Sequence, residues 1–122
     1  MPDNYISISA EKGNINVSED VIAVIAGSAI AETEGVAGLS GRATDIRGII
    51  SRNDAARAVR VINTENDTIL DVYVTLKAGA RIQETAMALQ QNVKTAVQSM
   101  TGKPVTRINV HVDGIVADEN KA

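Results

Sequence analysis

From Ile82 to Met100 apolar residues recur at spacings of three and four, and the run then breaks at Thr101-Gly102-Lys103-Pro104 and becomes the alternation of Val105 to Asp113. A long one-sided helix must therefore be followed at once by a strand, with Gly102 suited to end the helix and Pro104 unable to continue it. Ile82, Ala86, Leu89, Val93, Val97 and Met100 predict one apolar stripe, with Gln83, Gln90, Gln91, Lys94 and Gln98 facing away. A stripe of this kind has to be covered, and a sheet is the natural cover when strands flank the helix.

The rest of the chain supplies those strands. Tyr5, Ile6 and Ile8 suggest a short first strand, Glu11-Lys12-Gly13-Asn14 turns the chain, and Ile15 and Val17 continue extended. Ser18 then predicts a helix cap. Glu19 and Asp20 follow at the positive end of the helix dipole, and the helix should run to about Thr33, where Glu34-Gly35 stops it. Val21, Ile22, Val24, Ile25, Ala29 and Ile30 occupy more than one face of it. A helix this apolar is covered on several sides, either by the sheet and the second helix or, on one face, by another subunit. Further on, Val59, Val61 and Ile62 lead into the turn-rich 63–67. Leu70, Val72, Val74 and Leu76 then alternate with Asp71, Tyr73, Thr75 and Lys77, a strand with one apolar and one wet face.

Between these elements, Arg42, Arg47, Arg52 and Arg57 stand five residues apart with Arg60 just beyond, opposed only by Asp45 and Asp54. Residues 42–60 thus form a basic segment in a chain of net charge −3. Ile46, Ile49 and Ile50 lie at helical spacing within it, and Thr44 is a candidate cap. A five-residue step distributes the arginines around a helix rather than along one stripe, which favours a solvated excursion. The functional alternative is a small amphipathic basic element, with Arg42, Arg47, Arg52 and Arg57 as the contacts to an acidic partner surface or anionic lipid.

Chemistry is sparse. The chain has no cysteine, so disulfides, thiolate metal sites and Cys nucleophiles are excluded together. With a single histidine, Asn109, His111 and Asp113 on the wet face of the last strand are the nearest approach to a metal constellation, and they offer one imidazole where a transition-metal site needs further ligands. The glycines at 27, 35, 38 and 41 match neither a P-loop nor a dinucleotide fingerprint, and no nucleophile elbow marks a serine. No catalytic residue, cofactor, metal or small-molecule substrate is expected. Two tyrosines, no Phe and no Trp leave no platform for stacking bases, and the acidic balance argues against a duplex binder. The rival reading is a KH-like nucleic-acid-binding module using 42–60, but no Gly-x-x-Gly loop joins two helices. Residues 1–4 lack the charge and apolar core of a secretory leader, and the apolar run Val21 to Ala31, interrupted by Gly27-Ser28, falls well short of the ~20 residues that span a bilayer. A cytoplasmic protein is expected.

The order of Gly13-Asn14-Ile15-Asn16-Val17-Ser18-Glu19-Asp20-Val21-Ile22, Glu34-Gly35-Val36-Ala37-Gly38-Leu39-Ser40-Gly41, Asp71-Val72-Tyr73-Val74, Met100-Thr101-Gly102 and Ile108-Asn109-Val110-His111-Val112-Asp113-Gly114-Ile115 resembles the alkaline shock protein family, the Gls-type envelope stress response proteins of Gram-positive bacteria. The likeness covers about residues 5–116. It implies a cytoplasmic α+β domain without catalysis that self-associates and lies under the membrane through a separate membrane-anchored protein partner. The expected architecture is a single domain over 5–116 with flexible termini at 1–4 and 117–122. It is a two-layer α+β sandwich in βαββαβ-like order with an extra short N-terminal strand, its two helices on one face of a mixed sheet.

Overall fold

The structure is a computed structural model that describes residues 5–39, 58–63 and 67–117. Its elements are β1 (Tyr5–Ala10), β2 (Gly13–Ser18), α1 (Glu19–Ala31), β3 (Val36–Leu39), β4 (Val59–Asn63), β5 (Thr68–Lys77), α2 (Ile82–Thr101) and β6 (Arg107–Val116). This is the expected α+β sandwich, with both helices on one face of a mixed sheet. One strand, β3, was not marked by any alternation in the sequence.

The sheet is organised by β5. Strand β6 pairs with it in parallel from Ile69–Arg107 to Lys77–Val116, with a register shift after Val74. Because a strand has only two hydrogen-bonding edges and β6 takes one along its length, the antiparallel partners β4 and β3 share the other. Strand β4 faces residues 68–72 of β5, and β3 faces residues 74–76. Alternation does the rest: Thr68, Leu70, Val72, Val74 and Leu76 are buried under the helices, while Ile69, Asp71, Tyr73 and Thr75 are half-buried on the other face.

Strands β1 and β2 form a separate antiparallel hairpin, Tyr5 opposite Ser18 and Ala10 opposite Gly13. It is tied to the main body by Ile6, which is 2% exposed and part of the core, with Val17 packed beside it. The Ser18 hydroxyl accepts from the backbone N–H of Val21 at 3.2 Å, the cap expected of it. Helix α1 ends at Ala31, two residues before the expected stop. Thr33 there folds back, donating its hydroxyl to the Ala29 carbonyl at 2.9 Å, and so takes up an end-of-helix acceptor from outside the helix.

Helix α2 places Leu89, Val93 and Val97 in the core, but Ile82 and Met100, expected on the same stripe, are 54% and 71% exposed. Burial on α2 runs from Thr85 to Val97, so the stripe is covered through its middle and open at both ends. Gly102 closes it with φ 74, its N–H on the Gln98 carbonyl at 2.8 Å. Two glutamines expected to face away instead fasten the helix to the last strand and to the segment that leads into it. Gln98 Oε1 accepts from the Val105 N–H at 3.0 Å, and Gln90 Nε2 donates to the Ile108 carbonyl at 3.0 Å.

Candidate functional site

The side chains with chemical capacity gather on the open face of the sheet, where β5 and β6 run side by side. Parallel register sets Asp71 beside Asn109 and Tyr73 beside His111. Asn109 Nδ2 donates to Asp71 Oδ1 at 2.8 Å, and His111 Nε2 stands 3.9 Å from the same oxygen. The Tyr73 and His111 rings stack with centroids 4.5 Å apart and an interplanar angle of 13°. On the other side of β5, Arg60 occupies the register position opposite Asp71. The result is a short polar row in which one carboxylate oxygen accepts from an amide and lies near an imidazole.

This row is a polar patch on an open face rather than an enclosed centre. Among the described residues, no three of His, Cys, Asp and Glu converge on a point where a metal could sit. Asp113, expected to share the face with Asn109 and His111, is exposed as they are, but it falls in the register shift between Val112 and Gly114, so no residue of β5 stands beside it. The sequence marked His111 and Asn109 but missed Asp71 and Tyr73 as their neighbours. The wet face of β5 was legible, whereas its pairing with β6 depends on a register between segments far apart in the chain.

The helix layer presents a different surface. Val24 and Ile25 of α1 are half-buried and face Ala96 and Met100 of α2 across a groove of about 540 Å³, with Glu32 and Asn92 at its polar rim. Asn92 Nδ2 donates to the Thr33 hydroxyl at 3.0 Å and so holds the two helices together at this end. Val21, 48% exposed, continues the apolar surface of α1 toward its N-terminus. The all-round apolar pattern of this helix therefore divides: Ile22, Ala23, Ala26, Ala29 and Ile30 face the core, and Val21, Val24 and Ile25 do not reach full burial.

A second concavity, about 500 Å³, lies where α1 ends and α2 begins. Lys77 and Arg81 line it together with Glu34 and Glu84, and Arg81 is already paired with Glu84 at 3.2 Å, so it presents no excess of either charge. The arginines singled out from the sequence, Arg42, Arg47, Arg52 and Arg57, lie outside the described residues. Among the described residues, no helix is long and apolar enough to cross a membrane.

These observations define a small α+β sandwich with a polar sheet face and a partly apolar helix face. The chain belongs to the alkaline shock protein 23 family, whose model matches residues 7–117 and which is described as having a cell envelope-related function. It is similar to YqhY of Bacillus subtilis, 31% identical over 107 residues that cover 87% of this chain and 79% of that one. It is also similar to Spy1535 of Streptococcus pyogenes, 32% identical over 108 residues, 88% of this chain and 82% of that one. A third relative, YloU of Bacillus subtilis, is 27% identical over 113 residues, 90% of this chain and 94% of that one. All three are uncharacterized proteins. Among solved structures, a triple-substituted MamM CTD is 14% identical with a TM-score of 0.48, covering 83% of this chain and 96% of that one.

Proposed function

We propose that this protein is a non-enzymatic interaction protein of the Gram-positive cell envelope stress response, self-associating and recruited to the membrane through a membrane-anchored protein partner. The observation that carries the reading is where the apolar side chains stand. Val21, Ile82, Met87, Met100, Ile115 and Val116 are among the large apolar side chains exposed on the described surface. Exposed apolar surface of this kind is stabilised by burial against another macromolecule, at ~25 cal/mol per Å² removed from water. The family's envelope-related function supplies the setting, and contact between surfaces requires no catalytic group. Arg42, Arg47, Arg52 and Arg57 are assigned to the same role, as the basic contacts to an acidic partner surface or to anionic headgroups.

Two measurements test the reading. Sedimentation velocity over a wide concentration range is expected to show mass rising with concentration, and a monomer throughout would remove self-association. A fluorescent fusion in the native cell is expected at the envelope, and a diffuse signal would remove recruitment.

A further inference from the structure

Among the described residues, strand β6 is an edge. It pairs with β5 on one side, and among the described residues no strand pairs with its other side. Edge strands are commonly blunted by proline, by lysine, by bulges or by shortness, because an open row of N–H and C=O groups is a template for another strand. Strand β6 is 10 residues long with neither Pro nor Lys, and its register shift lies only after Val112. The Ile108 carbonyl is met by the Gln90 side chain of α2. The residues that turn their backbone groups to the open edge are therefore Ile108 and, by the alternation of a strand, Val110 and Val112.

The side chains of this edge are self-complementary. Reversing Arg107-Ile108-Asn109-Val110-His111-Val112-Asp113 about Val110 sets Arg107 against Asp113, Ile108 against Val112, Asn109 against His111, and Val110 against itself. Every pair joins like to like in polarity and opposite to opposite in charge. Moving the axis one residue back sets Arg107 against His111 and Val105 against Asp113. Moving it one residue forward sets Arg107 against Ile115 and Asn109 against Asp113. Only the axis at Val110 matches all positions, and it makes the edge-facing Ile108, Val110 and Val112 the hydrogen-bonded pairs of an antiparallel ladder. Met87, 60% exposed, stands on α2 beside the groove to Val105 and Ile108, so the same edge carries uncovered apolar surface.

We infer that a second copy of this chain pairs with β6 antiparallel about a two-fold axis at Val110, joining two sheets into one with all helices on the same face. The interface is isologous, as two-fold symmetry requires, and each copy contributes the same strand. In forming it, the N–H of Val112 in the second copy takes the place of the Gln90 amide on the Ile108 carbonyl. This assignment rests on the self-association proposed above and gives it a strand and a register.

The chain has no cysteine, so single cysteines report on the register cleanly. Asn109 and His111 form a non-hydrogen-bonded pair in the ladder, with Cα atoms about 4.5 Å apart and within disulfide reach. Asn109→Cys and His111→Cys are expected to cross-link when mixed under mild oxidation, and far more slowly when either is oxidised alone. Asp113→Arg, which sets arginine against arginine twice per dimer, is expected to weaken the dimer about tenfold. The double variant Arg107→Asp/Asp113→Arg restores opposite charges and should recover most of that loss, with circular dichroism confirming that each variant is folded. A wild-type protein that stays monomeric overturns both this assignment and the self-association beneath it. A wild-type protein that self-associates while the mixed cysteines fail to link, or while the double variant gives no recovery, overturns the strand and register alone.

Discussion

Gly35 combines a left-handed backbone with a crowded site. Its φ is 94, a region that residues with a Cβ rarely adopt, and a Cβ added there would lie 3.0 Å from Thr85 Oγ1, 3.2 Å from Thr85 Cγ2 and 3.3 Å from the Ala80 Cβ. The close approach is where α1, having ended, passes the first turn of α2 on its way into β3. Its carbonyl is committed as well, accepting from the Lys77 N–H at 2.8 Å. Gly35→Ala is therefore expected to cost about 2–4 kcal/mol, the sum of a strained φ and an overpacked contact. Gly102→Ala, at φ 74 with open space around it, is expected to cost only about 1 kcal/mol. Urea denaturation of both variants measures the difference, and adding Thr85→Ala to Gly35→Ala should return the packing share but not the backbone share. The need for glycine at 35 was legible in the sequence as a helix stop. The Thr85 contact was not, because it joins residues fifty positions apart. Asp71 in the polar row was hidden for the same reason.

At the scale of elements, helices announce themselves more fully than short strands. The periodicity of 82–100 and the Gly102 stop identified α2 to within a residue of its observed end. Strand β3 has only four residues, one of them Gly38, and is a strand because β5 offers it an edge, a tertiary cause that no local pattern carries. The exposed ends of the α2 stripe were also hidden, since a stripe shows which face is apolar and not which of its residues find cover. That distinction can be measured. Leu89→Ala removes a fully buried side chain from between the layers and is expected to cost about 2–5 kcal/mol. Met100→Ala, at the exposed end of the same stripe, is expected to fall within about 0.5 kcal/mol of wild type. Similar losses at both positions would mean that the helix layer is covered along its full length, as it would be in a partner complex persisting through the measurement.

The molecule as a whole is built unevenly, and its stability should be uneven in the same way. Strand β5 is paired on both edges and covered by two helices, so its amides open only when the domain does. The β1–β2 hairpin belongs to neither layer. Among the described residues its strands pair only with each other, and Ile6 is buried in the core with Val17 partly buried beside it, while Ile15 stays exposed. An isolated two-stranded hairpin is marginal in water, so the burial of Ile6 bears on whether this one stays closed. Hydrogen exchange followed by residue is thus expected to show weak protection at 6–17 and strong protection at 70–76 and 89–97. Ile6→Ala removes most of that buried side chain, at a cost of about 2–5 kcal/mol that can exceed what holds the hairpin closed. The hairpin amides should then exchange nearly as free peptide while those of β5 and α2 remain protected. If β5 loses protection in step with the hairpin, the domain unfolds as one cooperative unit and Ile6 is a keystone of the core rather than the anchor of a peripheral ribbon.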